Sequence, residues 1–130
     1  MLPGMNAMAD ASLRPSRDWL GSWRSSTLAW WTPHAVLLGG LLAPLPVRVA
    51  LWTLALLWMG LACILNSRRC GRTHCRYTGP HYLALIVPAV ALGLALPSAG
   101  IVWWIILGLI VVGGSKLIWW VSERAWGKFS

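Results

Sequence analysis

Acidic side chains are almost missing from this chain, because Asp10, Asp18 and Glu123 are the only three among 130 residues. The sequence therefore holds no carboxylate pair for acid–base catalysis, and it has no HExxH, nucleophile-elbow or phosphate-loop motif. A proton-coupled carrier usually keeps an acid within the membrane, and the apolar stretches contain none. We therefore expect no enzymatic activity and assign no catalytic residue.

Charge of either sign is also scarce, at 11% of residues against roughly a quarter in soluble domains. This excludes an ordinary soluble domain and predicts an integral membrane protein with the lipid bilayer as its solvent. The net charge of +8 comes from basic residues beside apolar stretches. Anionic lipid heads, and not nucleic acid, are therefore the expected partner. The first 26 residues lack the apolar core of a secretory signal, so we expect the first span to be an uncleaved anchor.

Four apolar stretches predict an all-α membrane protein with four transmembrane helices arranged as two short helical hairpins. The stretches are 27–45, 49–65, 81–96 and 101–121. The second has 17 residues, at the low edge of the roughly 17–25 that cross a bilayer. Proline and paired glycines interrupt the first stretch, so a re-entrant segment is the alternative there. The tail 1–26, with an interfacial helix or no structure, precedes the domain 27–121, and a basic tail 122–130 follows it.

Basic residues cluster in both tails and between the second and third spans, at 66–80. The positive-inside rule places these three segments, and so both termini, in the cytoplasm. Tryptophan, which favours the membrane interface, divides the same way. The inner level holds Trp30, Trp31, Trp119 and Trp120, the outer level holds Trp52, Trp103 and Trp104, and Trp58 falls mid-span for packing. We expect a bacterial cytoplasmic (inner) membrane.

The polar run NSRRCGRTHCRYTGP at 66–80 is interpreted as a central basic loop on the cytoplasmic side. All the cysteines and histidines lie at or near this surface, and thiolate and imidazole are preferred ligands of Zn and Cu(I). This predicts a soft-metal site for Zn, Cu or Hg formed by Cys63, Cys70, His74 and Cys75, with His34 and His81 as secondary ligands. Four neighbouring arginines, with no carboxylate in the run, argue against a bound cation.

The arginines support a second interpretation. Together they form a set of phosphate donors for anionic lipid heads, namely Arg68, Arg69, Arg72 and Arg76. Plain topology anchors, with cysteines as small apolar fillers, explain the same residues, and a reversible Cys70–Cys75 disulfide is a further alternative. We carry two functions: binding or transport of a soft metal ion, or a non-catalytic accessory or structural protein that docks on a larger membrane complex or binds anionic lipid. Short helices enclose little volume, so we expect a homo-oligomer or other membrane subunits.

Overall fold

The computed structural model describes residues 22–95, 98 and 100–127, and the predicted tail up to residue 21 lies outside this part. Every element within the described residues is a helix, which confirms the all-α fold class. Helix α1 has three consecutive parts, Trp23–Ser26, the π-helical Thr27–Trp31 and Thr32–Gly40. The other helices are α2 (Leu45–Cys70), α3 (Thr73–Ala84), α4 (Ile86–Leu94) and α5 (Ile101–Trp126).

Three helical segments in the described part are long and apolar enough to cross a membrane: Leu45–Arg69, Thr73–Leu94 and Ile101–Trp126. They indicate an integral membrane protein, as the composition predicts. The first predicted span is not among them. Its helix changes to π geometry at Thr27–Trp31 and ends at Gly40. The four-span topology and the cytoplasmic termini therefore stay predictions.

The loop predicted at 66–80 is replaced by a two-residue connection. Helix α2 continues through the polar residues to Cys70, and α3 begins at Thr73, so only Gly71 and Arg72 are not helical. Gly71 adopts a left-handed conformation (φ 71°, ψ 24°), and its N–H donates to the carbonyl of Ser67 at 2.7 Å. A left-handed glycine of this kind is a common helix terminator. The polar residues are therefore carried on two packed helices.

The turn between α1 and α2 lies earlier than predicted, at residues 41–44, and α2 already begins at Leu45. Arg48, which lies between the first two predicted spans, is in the first turns of α2. Its guanidinium donates from Nε to the carbonyl of Gly40 at 3.3 Å, and from Nη2 to those of Leu41 and Ala43 at 3.0 Å each. The carbonyl of Gly40 also accepts from the N–H of Ala43 at 3.1 Å. Arg48 thus adds charged donors at the C-terminal end of α1, where carbonyls lack intrahelical partners.

Two tryptophans predicted for the outer membrane level lie in the core of the bundle. Trp52 and Trp104 are fully buried, and their rings meet edge to face with centroids 5.2 Å apart. Trp52 packs between glycines of two other helices. A Cβ added at Gly40 of α1 would lie 3.1 Å from the indole, and one at Gly108 of α5 would lie 3.4 Å from it. In this outer set only Trp103 is exposed.

Candidate thiol site

Two glycines bring α2 and α3 into close contact beside the cysteines. A Cβ added at Gly60 would lie 3.1 Å from the carbonyl oxygen of Gly79, and a Cβ at Gly79 would lie 3.2 Å from that of Gly60. The same two additions would approach Leu83 and Ile64 to 2.6 Å. Because neither residue carries a side chain, the two backbones approach more closely than larger residues would allow.

This close packing joins two thiols from different helices. Cys63 lies in α2 and Cys75 in the first turn of α3, and the two residues are 1% and 0% exposed. Both are free thiols, and the two side chains lie next to each other. The hydroxyl of Thr78, one helical turn after Cys75, lies close to Cys63. It donates its own proton to the carbonyl of His74.

Each sulfur also accepts from a nitrogen donor. The indole Nε1–H of Trp30, in the π-helical part of α1, donates to Cys63 Sγ at 3.3 Å. The amide Nδ2–H of Asn66 donates to Cys75 Sγ at 3.5 Å, and Asn66 is fully buried. Three helices therefore converge on this pair of sulfurs.

His74 lies beside the thiol pair and is oriented by a carboxylate. Its Nδ1 lies 2.9 Å from Oε1 of Glu123 in α5, and its Nε2 lies 3.5 Å from Cys75 Sγ. The ring also stacks on Trp119, with centroids 4.9 Å apart and planes inclined by 29°. Since a carboxylate accepts only, Nδ1 carries the proton and Nε2 faces the sulfur with its lone pair. Glu123 and Trp119 of α5 therefore set both the position and the tautomer of the His74 imidazole.

Arg72 completes this polar cluster. Its Nε lies 2.9 Å from the same Glu123 oxygen and 3.3 Å from His74 Nδ1. Because the ionised carboxylate is the stronger acceptor, we assign the N–H of both residues to Glu123. The side chains of Arg72 and Glu123 are 8% and 20% exposed, so this ion pair is largely shielded from solvent. Glu123 supplies the carboxylate that the polar run itself lacks.

The predicted set of six metal ligands is only partly brought together. Cys63, His74 and Cys75 meet, whereas His34 donates to the carbonyl of Trp30 at 2.6 Å and lines a separate apolar cavity. His81 packs against α5, where a Cβ on Gly114 would lie 2.6 Å from its ring. Within the described residues, no group of three or more histidine, cysteine or acidic side chains is arranged to hold a metal ion. The side chain of Cys70 lies outside the described part.

The four predicted anion-binding arginines also separate into two kinds. The side chains of Arg68, Arg69 and Arg76 are exposed at the end of the bundle where α2 and α3 join. Arg72 is buried and pairs with Glu123. Three of the arginines are thus exposed, while the fourth forms an ion pair within the site.

Sequence reasoning missed the residues that contact the sulfurs and the imidazole. Asn66 is the one carboxamide between the first and last predicted spans, which is a signal that pattern analysis could have used. Glu123 is the only acid beyond residue 18, and an isolated acid beside a membrane span also indicates a partner. The contact of Trp30 had no such signal, because it depends on how α1 packs against α2.

Comparison with known proteins gives no relative from which a role could be transferred. No family model, no curated protein and no solved structure matches the chain.

Proposed function

We propose that this protein binds a soft metal ion in the membrane, with the thiolates of Cys63 and Cys75 as ligands. The observation that carries the proposal is the meeting of these two buried thiols from different helices. Soft ions select thiolates, and the affinity for a thiol pair depends on its geometry being set in advance. Here the glycine contact between α2 and α3 sets that geometry.

The surroundings of the pair are compatible with the charge of a bound ion. Two thiolates carry two negative charges, which a soft cation neutralises in part or in full. Trp30 and Asn66 direct N–H dipoles at the sulfurs. Such donors stabilise a thiolate. The charge of Arg72 is balanced by Glu123, so it repels a cation less than an isolated arginine would.

The proposal is narrower than the ligand set predicted from the sequence. His34 and His81 are left out because they face other parts of the bundle. His74 is assigned next to the ligands, as a neighbour of Cys75 that Glu123 orients. Cys70, predicted as a ligand from the sequence, is not part of the proposed pair, and the first experiment tests whether it contributes. We further propose the bacterial inner membrane as the location and an oligomer as the working form.

The test is the metal content of the detergent-solubilised full chain after exposure to Cu(I), Ag(I), Hg(II) and Zn(II), measured by mass spectrometry. We expect one soft ion per chain in the parent. Cys63→Ser and Cys75→Ser, which exchange sulfur for oxygen at nearly constant volume, should each abolish uptake. Cys70→Ser is the matched control and should retain it. If both Cys63→Ser and Cys75→Ser retain the ion, the proposal is refuted. If Cys70→Ser loses the ion, Cys70 is one of its ligands.

A second candidate function is an accessory subunit that binds anionic lipid, favoured by the exposure of Arg68, Arg69 and Arg76 at one end. Each arginine near an anionic membrane surface contributes about 1 kcal/mol. Changing all three to Gln should therefore reduce copurified anionic phospholipid severalfold. Lys116→Gln, on an exposed face of α5, is the control. An unchanged lipid content would exclude this role for the arginines.

A further inference from the structure

An apolar groove with a volume of about 290 Å³ lies between α1 and α5. Its α1 wall extends from His34 to Leu41, its α5 wall extends from Trp104 to Val112, and Trp52 of α2 completes the lining. At a rise of 1.5 Å per residue, these two walls are about 10 and 12 Å long. The groove is therefore elongated along the helices, and its length suits part of one lipid acyl chain.

Arg48 lies at the end of this groove that Leu41 and Trp104 form. Its Nη2 donates to the carbonyl of Leu41 at 3.0 Å, and its guanidinium carbon lies 5.5 Å from the centroid of the Trp104 ring. Its Nη1 has no acceptor among the described residues, and no carboxylate in that part of the chain pairs with Arg48. This end of the groove therefore carries a positive charge and an available donor.

The length of α2 places Arg48 at the level of lipid headgroups. Arg48 and Arg68 are 20 positions apart in this one helix, which is long and apolar enough to cross a membrane. This separation corresponds to about 30 Å, the thickness of the hydrocarbon core of a bilayer. When Arg68 lies among the headgroups on one side, Arg48 reaches those on the other side, where phosphate is the abundant anion.

We propose that the groove binds an anionic phospholipid, with the phosphate at Arg48 and one acyl chain between α1 and α5. A guanidinium binds phosphate through charge-assisted hydrogen bonds, and basic pockets between membrane helices recognise lipid headgroups in this way. The acyl chain enters from the side, because Leu38 and Leu109 line the groove and are 69% and 68% exposed. This lipid site is independent of the thiol pair and lies at the opposite end of α2 from Arg68.

The first measurement is photo-crosslinking of the full chain in phosphatidylcholine vesicles, with a phosphatidylglycerol that carries a diazirine on one acyl chain. We expect the label to concentrate on the residues that line the groove. Gly108→Leu fills the groove beside Trp52 and should reduce this labelling severalfold. Gly113→Leu is the matched control on the same helix, because a Cβ there would have no atom within 4 Å, and it should match the parent. Even labelling of all apolar helix faces, or parent-like labelling of Gly108→Leu, would overturn the proposal.

The second measurement compares competing lipids on the parent chain in a non-ionic detergent, so it does not depend on the folding of a variant. We expect unlabelled phosphatidylglycerol to halve the labelling at a severalfold lower concentration than phosphatidylcholine. Arg48→Gln should remove this difference. Equal competition by the two phospholipids in the parent would overturn recognition of the headgroup by Arg48. Stronger competition by oleate would assign the groove to a fatty acid, and labelling that falls as the protein concentration rises would assign it to a second copy of the chain. Either result would also overturn the proposal.

Discussion

Gly79→Ala is the most direct perturbation of the thiol pair, because it adds one methyl group at the contact of α2 and α3. The new Cβ would lie 2.6 Å from Cγ1 of Ile64 and 3.2 Å from the carbonyl oxygen of Gly60. The Ile64 side chain can rotate away, but the backbone carbonyl cannot. Relief therefore requires the two helices to separate by a few tenths of an ångström.

The cost follows from these distances. Overpacking a close contact destabilises a protein by about 1–3 kcal/mol. Replacing a helical glycine with alanine also stabilises the helix by about 1 kcal/mol, which offsets part of this loss. The net expected loss is about 1 kcal/mol in the free energy of unfolding. The larger effect is on the geometry of the thiol pair. Cys75 lies one helical turn from Gly79, so it moves with α3 when the helices separate.

The assay is the rate at which a mild oxidant forms the Cys63–Cys75 disulfide in detergent, in a Cys70→Ser background so that only these two thiols remain. We expect Gly79→Ala to slow this reaction severalfold, because a small separation misaligns two sulfurs that otherwise meet. Gly113→Ala is the matched control, as its Cβ would have no atom within 4 Å. Equal rates for Gly79→Ala and its parent would refute the view that the glycine contact sets the thiol geometry.

Three further substitutions test the contacts that hold the bundle. Arg48→Gln removes the donors at the end of α1 and should lower the free energy of unfolding by about 1–3 kcal/mol, measured as a lower melting temperature. An unchanged melting temperature would show that Arg48 does not stabilise the end of α1. Glu123→Ala leaves the buried Arg72 without its carboxylate and should cost about 3 kcal/mol in the same assay, and a stable variant would show that this pair contributes little. Gly114→Ala should also lower the melting temperature, because its Cβ would meet the His81 ring at 2.6 Å. Adding His81→Ala should restore much of that loss, and no recovery would contradict the contact.

The sequence predicted the class of protein because composition alone constrains it. Few charges and long apolar stretches leave a helical membrane protein as the physical solution, since every backbone N–H and C=O in lipid must bond within the segment. The helices at 45–70 and 101–126 lie where hydropathy predicts spans. The loop at 66–80 was predicted too long, because polar side chains do not by themselves end a helix. A left-handed Gly71 does.

The tryptophans show why residue type does not fix a role. Trp52 and Trp104 were predicted at the interface and are fully buried, because glycines on neighbouring helices leave room for the rings. Trp58 was predicted to pack mid-span. It is half exposed, and its indole donates to the carbonyl of Leu28 in the π-helical part of α1. Interfacial preference is an average, and helix packing decides each case.

The sequence by itself determined that few residues could bind a ligand, and that these residues lie near one end of the apolar spans. Only the tertiary structure decided which of them meet. Cys63 and Cys75 are 12 positions apart, and Glu123 is 49 positions from His74, so their contacts depend on helix rotation and on the approach of α2, α3 and α5. Rotation by one residue turns a helix by about 100° and would face a different side chain into the site. The facing glycines and the buried Arg72–Glu123 pair fix that rotation, and neither is visible in composition or spacing.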